Sequence, residues 1–472
     1  MEKTIFCLAA LALLAGCSLA PIYERPIAPV AASWSSGGAS KSGPAAAGQR
    51  AVADVAWRDY FADERLRQVI ALALLNNRDL RVSALNVEKA RARYGIEHAA
   101  QLPKLSGALS ESAGHRPGAA HGEGGIDHQY SGGLIVPSYE LDFFGKLRSL
   151  SEAEMQRYLG TEEARRAQQI SLVAEVANSY LTLIADQQRL ALAADTLKSQ
   201  QISYALSKRR FEAGTASGLA MYESQTSVET ARNDMAAYTA QVAMDLNALT
   251  LLAGGALPAA WLPNGEFGAV TQLAAIPDDM PSAVLLRRPD VLEAERTLRA
   301  ANANIGAARA AFFPSMSLTA SGGSASGGLS GLFQPGSSTW NFLPQISLPI
   351  FDGGVNRANL NIAKMERDIA LARYEKSIQG AFREVADALA QRGTLDERLA
   401  SQQQLTQAAA KSFHIHEERY RKGAESYQNE LVSQRALYAA QQGLISARLS
   451  MSSNAVTLYK VLGGGWQANS NS

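Results

Sequence analysis

Residues 146–214 read KLRSLSEAEMQRYLGTEEARRAQQISLVAEVANSYLTLIADQQRLALAADTLKSQQISYALSKRRFEAG, without a proline. None lies between Pro137 and Pro258, and none follows Pro349. Proline fixes φ and removes a backbone donor, so long proline-free windows rich in Ala, Leu, Gln, Glu and Arg favour helix. Within the quoted stretch Val176, Leu183, Leu190, Leu197, Tyr204 and Phe211 recur at every seventh position. That is the seam of a coiled-coil-like rod, sustained beyond an ordinary surface helix. A helix from Lys146 to Phe211 is roughly 100 Å long at 1.5 Å per residue, more than a compact domain of this size accommodates.

The rod occurs twice. Asp79–Ser106 resembles Asp290–Ser317 at a constant offset, with Gly95 matching Gly306 and Pro103 matching Pro314. Further on, two residues of offset are lost: Gly145 matches Gly354, and Glu175-Val176-Ala177 matches Glu384-Val385-Ala386. Phe211-x-x-Gly214 then matches Tyr420-x-x-Gly423, and Gln225 matches Gln434. So small an indel over ~150 positions marks an internal duplication, and two copies do not make a solenoid. Each copy reads as an amphipathic helix (Leu66–Leu102; Val284–Phe313), a Gly/Ser-rich alternating stretch, a very long helix, a glycine turn and a long returning helix. The boundaries are 17–61 for an N-terminal segment, 62–254 for the first copy, 255–281 for a linker, 282–463 for the second copy and 464–472 for a tail. In the turns, Gly214 and Gly423 supply left-handed backbone, and Ser217 and Ser426 are placed to cap the next helix.

Between the helices, Pro103–Leu109 and Pro314–Ala320 alternate, and Tyr130–Asp142 and Ser338–Asp352 form return segments. Trp340, Phe342, Ile346, Leu348 and Ile350 fall on alternate positions, the period of a strand with one apolar face. The reading is two hairpins, at about 103–142 and 314–352, or four strands per chain. Membrane β-barrel strands show this pattern, and so do surface hairpins that cap a helical bundle. Lipid tolerates no open sheet edge and the smallest membrane barrels have about eight strands, so strands in lipid require several chains to combine.

Apolar residues make up 47% of the 472 and charged residues 19%, against disorder of the whole chain. Lys and Arg total 45 against 44 acids, a net charge of +1 that argues against nucleic-acid binding by bulk basic charge. Two cysteines exclude a disulfide framework and Cys-rich zinc ligation. The chain starts with Lys3 and a short apolar run, Ile5–Ala15, too short to span a membrane but suited to a secretory signal. It ends in Leu14-Ala15-Gly16-Cys17, the pattern of a bacterial lipoprotein signal. Residues 1–16 then leave, Cys17 carries the lipid, and Ser18 in place of Asp points to the outer membrane. No Walker loop, serine elbow, HExxH or CxxC appears, so no catalytic residue and no metal site is assigned. His414 and His416, two apart on a helix, do not share a face. Asp278-Asp279, near Pro277 and Pro281, reads as a solvated loop, and nine methionines without a cluster give no soft-metal relay.

Several motifs together carry a family resemblance: Ala20-Pro21-Ile22-Tyr23, Glu140–Gly145 (ELDFFG), Arg287–Asp290 (RRPD), Gly306–Pro314 (GAARAAFFP), Leu348–Gly354 (LPIFDGG) and Leu462–Trp466 (LGGGW). With the duplication and the lipobox, the chain from Cys17 to Trp466 resembles the TolC/OprM-type outer-membrane channels, and most of all the lipoprotein channels of tripartite resistance-nodulation-division drug efflux pumps. The resemblance implies a mainly α protein with a membrane β-barrel. It implies a homotrimer, with twelve strands closing the barrel and long helices continuing it as a periplasmic α-barrel. A mixed equatorial belt would be built from the N-terminal segment, residues 255–285 and the C-terminal end. The implied partners are a periplasmic adaptor, an inner-membrane transporter, outer-membrane lipid and small-molecule drugs, with no cofactor beyond the lipid on Cys17. The channel itself does no chemistry. A type I protein-secretion channel is the rival within the family, and a purely structural periplasmic coiled coil the rival outside it.

The same resemblance puts the two glycine turns at the periplasmic tip. Arg210, Gly214, Thr215 and Ser217, with Arg419, Gly423, Ala424 and Ser426, are then the adaptor-binding surface. The closed gate is also expected there, and here the sequence departs from the family. Acids that often stand six or nine residues past the second turn glycine are replaced by Asn429 and Val432. Ala220 occupies the place of an acid that bonds the tip tyrosine, which is retained as Tyr420. Glu223, Glu425 and Glu430 lie nearby, as candidate rings of negative charge or as solvated helix-face charges. The expected gate is an apolar layer at Val432 flanked by Gln428, Asn429 and Glu430, with Tyr420 as a packing latch.

Overall fold

The computed structural model describes residues 19–34, 54–116, 125–267 and 281–466; Cys17 and Asp278-Asp279 lie outside them. The helices are α1 (Trp57–Tyr60), α2 (Glu64–Asn76), α3 (Arg78–Ala99), α4 (Lys146–Glu212), α5 (Gly218–Ala253), α6 (Pro289–Ala310), α7 (Val355–Arg421) and α8 (Tyr427–Val461). The strands are β1 (Ser106–Arg116), β2 (Gly125–Leu141), β3 (Ser315–Ser326) and β4 (Ser338–Ser347). The rods α4 and α7 each run for 67 residues without a break. The amphipathic helix of each copy is shorter than expected. In the first, Asn77 interrupts it: its Oδ1 accepts from the Leu80 N–H at 3.0 Å and its Nδ2 donates to the Leu252 carbonyl at 3.0 Å. In the second, Pro289 opens α6, and residues 282–287 form a 3-10 turn instead. Among the described residues no helix is long and apolar enough to cross a membrane.

The chain divides into two compact units, each drawing on both copies of the repeat. The first unit takes residues up to 27, 86–162 and 293–375, and holds all four strands. The two hairpins are joined through β2 and β3 into one antiparallel sheet of order β1-β2-β3-β4. Its register sorts the side chains. Leu109, Leu134, Val136, Leu318, Trp340, Phe342 and Ile346 share one face, which is apolar except for Glu111, His115 and His128 toward the β1–β2 turn; Ser110, Ser112, Gln129, Ser131, Thr319, Ser321, Asn341 and Gln345 share the other, mostly polar face with Ile135 and Leu343. A bulge between Val136 and Tyr139, at Pro137, keeps both of those side chains on the apolar face; without it Tyr139 would flip to the polar side. The strand read to Asp352 stops at Ser347, so Leu348 and Ile350 lie beyond it.

The motifs of this unit have local reasons. Asp142 accepts from the Arg148 N–H at 2.8 Å, and Asp352 from the Gly354 and Asn356 N–H groups at 2.8 Å, so the aspartates of ELDFFG and LPIFDGG hold the starts of the two rods. Glu295 on α6 gathers Tyr23 (3.2 Å), Arg25 (2.5 Å) and Arg299 (2.7 Å), and its side chain is buried. The arginines hold the Glu295 carboxyl below its usual range against the opposing effect of burial. Asn302 and Arg309 bind the carbonyls of Pro21 and Leu19. A side chain at Gly306 would run into Ala20 and Ser149, which is why this stretch of α6 needs glycine.

The second unit takes residues 28–85, 163–292 and 376 onward. Its core packs Trp57, Phe61, Leu66, Ile70, Leu172, Val176, Tyr180, Leu183, Ile184, Leu249, Val456 and Tyr459. Tyr60 stacks on Tyr459 at 3.9 Å between centroids, and their hydroxyls donate to the carbonyls of Ala455 (2.7 Å) and Val55 (2.6 Å). Arg288 of RRPD is buried, binding Asp290, Glu384 and the Val461 carbonyl at 2.7–2.8 Å. The heptad seam of α4 is buried at Val176, Leu183 and Leu197, half-buried at Leu190 and Tyr204, and exposed at Phe211.

Candidate functional site: the paired turns

The turn residues of both copies fall within the second unit, and the two turns share one backbone pattern. Gly214 (φ 70°) donates to Phe211, and the Thr215 N–H reaches back to Arg210, at 2.9 Å each. Gly423 (φ 73°) donates to Tyr420, and the Ala424 N–H to Arg419, also at 2.9 Å. These are Schellman closures, which need a residue at positive φ and satisfy the last carbonyls of a helix. Ser217 and Ser426 stand at the first cap of α5 and α8 as expected, but neither side chain makes a capping bond. The Thr215 hydroxyl instead donates to the Arg210 carbonyl at 3.0 Å.

Tyr420 is buried against Tyr427 (5.5 Å between centroids) and Leu431, with Leu206 of α4 and Ala220 of α5 closing the cluster. Its hydroxyl lies 3.2 Å from Ser207 Oγ, and the Arg210 guanidinium sits 4.8 Å over its ring. Thus the acid missing at position 220 is replaced by a serine on the neighbouring rod, while Ala220 supplies packing. Above it, Gln200 donates to Gln434 at 2.6 Å and lies 3.5 Å from the Tyr427 hydroxyl. Sequence reading found Tyr420 but missed Ser207, Gln200, Tyr427 and Leu431. The only trace was the recurrence of Gln225 at Gln434; a single serine in a rod carries no signal.

The acids part company. Glu425 is held by His416 (3.0 Å), Arg419 (3.2 Å) and Asn429 (2.8 Å), of which Asn429 and then His416 keep its carboxyl below the usual range. His414 turns to Glu417 instead, at 4.0 Å. Asn429 and Gln428 are exposed, and Glu223 is half-buried. Val432 is 60% exposed, an apolar side chain without cover. Of the two readings open for Glu430, the solvated helix-face charge is set aside: the residue is 3% exposed and its Oε2 has no protein partner. Burial, with Glu417 adding to it against Arg421 and Arg210, pushes its carboxyl from 4.5 up to about 7.

A pH dependence follows from that carboxyl. The unfolded side chain loses its proton near 4.5 and the packed one near 7, so the packed tip loses stability as pH rises through that window and levels off above it. The loss is on the order of 3 kcal/mol at most. Glu430→Gln is expected to hold at pH 8 the stability that the wild type shows near pH 5. Hydrogen exchange of the α8 amides at the two pH values checks this, and a variant with the wild-type pH profile would refute it.

The family described as outer membrane efflux protein matches residues 69–255 and 280–464, one segment on each copy of the repeat. The antibiotic efflux pump outer membrane protein ArpC of Pseudomonas putida is 48% identical over 469 residues, covering 99% of this chain and 96% of its own. The cation efflux system protein CusC of Escherichia coli is 42% identical over 456 residues, 96% of this chain and 97% of its own. The open state of the MtrE outer membrane channel of Neisseria gonorrhoeae superposes with a TM-score of 0.86 at 35% identity, covering 97% of this chain and all of that one.

Proposed function

Because the chain belongs to the outer membrane efflux protein family, and so is the outer-membrane component of an efflux pump, we propose that three copies close a twelve-stranded barrel in that membrane. Through this barrel they passively release antibiotics and other small molecules delivered from the periplasm. The observation that carries this reading is the sheet. Among the described residues its four strands leave β1 and β4 as edges without a partner, and the middle of the sheet is apolar on one face and mostly polar on the other. An unpaired edge cannot stand in lipid, and one sheet of four is too small to close alone. Curvature supports the same assignment. Gly133 and Gly323 are directly paired on the polar face, and a Cβ on either would run into the other's strand. This close approach supports a sheet curved toward its polar side, with the serines and amides facing the lumen and Leu109, Leu134, Trp340 and Phe342 facing lipid.

The turns are the surface proposed to meet the periplasmic adaptor, through Arg210, Gly214, Thr215, Ser217, Arg419, Gly423, Ala424 and Ser426. A proton-driven inner-membrane transporter supplies the energy. The identity to an antibiotic efflux component exceeds that to the cation efflux component, 48% against 42%, which favours drugs as cargo. The test of the assembly is size: in mild detergent the purified protein should run as a trimer, and a monomer that resists cross-linking would overturn the reading.

Cys17 is proposed as the lipidated N-terminus. Each buried CH₂ contributes roughly 0.8 kcal/mol to anchoring, so acylation adds a strong second hold to the barrel. Cys17→Ala is expected to leave the signal uncleaved by the lipoprotein peptidase and to abolish palmitate labelling. Normal processing of that variant would contradict the assignment. Partial export without lipid is compatible with it, because the barrel spans the membrane by itself.

A further inference from the structure

The two turns are copies of one sequence, yet only one of them has its apolar face covered. In the second copy, Tyr420, Tyr427 and Leu431 are buried against Leu206, Ser207 and Ala220 of the first copy. Phe211, Gly218 and Tyr222 hold the same positions in the first copy, by the offset that matches Phe211 to Tyr420. They have no such cover: Phe211 is 43% and Tyr222 63% exposed, and their rings converge beside Gly218. The face that does the covering also recurs. Leu206, Ser207 and Ala220 correspond to Ile415, His416 and Asn429. Ile415 is 57% exposed and Asn429 is exposed as well, so the second copy presents a covering face with nothing beneath it.

One chain therefore carries an unfilled socket and an unused plug, related to each other as the filled socket and plug within the chain are. We infer that the socket at Phe211, Gly218 and Tyr222 receives Ile415 and Asn429 of the partner subunit. This inference rests on the trimeric reading above and deepens it by naming the seam between subunits. The contact is head to tail: each chain offers a socket on one side and a plug on the other, and repetition by a closing rotation leaves neither exposed. The seam between chains differs in chemistry from the seam within one. Phe211 lacks the hydroxyl that Tyr420 directs at Ser207, and Gly218 lacks the ring of Tyr427, so the seam forgoes that hydrogen bond and has room for Asn429 where the inner seam has the smaller Ala220. His416 keeps its bond to Glu425 in this arrangement and is not needed for the contact.

The test uses full-length chains assembled in the outer membrane. Tyr222→Cys and Ile415→Cys are placed on two differently tagged chains that are co-expressed, and a short thiol cross-linker is added. The expected result is a reducible dimer of unlike tags, formed in most mixed assemblies, with trimer yield unchanged. Leu206→Cys with Leu431→Cys in one chain serves as control, linking within the chain without a change in size. A trimer of normal yield without the 222–415 link would overturn the inference and leave the trimer standing. A link from Tyr222→Cys to the adaptor instead would also overturn it. A chain that runs as a monomer in mild detergent would remove the trimer, and the inference with it.

Discussion

Gly133→Leu and Gly323→Leu are each expected to abolish accumulation of the assembled protein in the outer membrane. A Cβ at Gly133 would stand 2.5 Å from the Gly322 carbonyl oxygen and 2.7 Å from the Gly323 Cα, and a Cβ at Gly323 would meet Gly132 and Gly133 in the same way. These obstacles are backbone atoms, which cannot turn aside as a side chain would. Relief requires β2 and β3 to separate, and that pairing is what joins the two hairpins into one sheet. Overpacking of this kind costs roughly 1–3 kcal/mol even where neighbours can shift, and here a whole ladder is at stake. The expected loss of trimer is more than about tenfold by immunoblot of outer-membrane fractions. Gly107→Leu and Gly114→Leu on β1 are the matched controls, since a side chain there meets nothing within 4 Å. Wild-type yield for Gly323→Leu would show that the sheet is not bent at this row.

Opening of the tip is the second large effect. Tyr420→Ala removes a buried ring, its hydrogen bond with Ser207 and its stack beneath Arg210, which together hold the second turn to the first rod. Truncating a buried aromatic to alanine costs roughly 3–5 kcal/mol. Val432→Ser removes the exposed apolar side chain proposed to narrow the pore. Single-channel recordings in planar bilayers should show conductance raised several-fold by either substitution, with antibiotic uptake raised in parallel. Glu430→Gln should go the other way and keep the tip shut at neutral pH, because it removes the one buried charge that loosens the packing. If all three match the wild type, the constriction lies elsewhere in the channel.

Much of this fold was legible because its signals are long. Absence of proline and a seven-residue seam announced α4 and α7, and the duplication announced that whatever the first half builds the second half builds again. The glycines of the turns were legible because positive φ leaves few alternatives. What failed was short or three-dimensional. Asn77 breaks a helix through bonds to a residue far along the chain, which no local pattern carries. Leu348 and Ile350 continue an alternation past the end of a strand, because alternation does not say where pairing stops. Serine at a cap position fits a capping bond, yet neither Ser217 nor Ser426 makes one, since residue type and position do not fix the side chain's direction. At the tip, Tyr420 could be named from its motif while its partner could not. Ser207 meets it across two rods, and the pairing depends on how the rods pack. Glu430 stayed open between a ring of charge and a solvated face for the same reason, since whether a glutamate on a helix is exposed depends on which helix covers it.

The central claim is that this protein is the passive exit through which an efflux pump empties across the outer membrane. The most direct measurement is retention of a fluorescent drug in a Gram-negative strain that keeps the adaptor and transporter but lacks this channel. Restoring the wild-type gene should lower retention several-fold, and only while the inner membrane is energised. Retention that stays the same with and without the protein, although trimers are present in the outer membrane, would contradict the account.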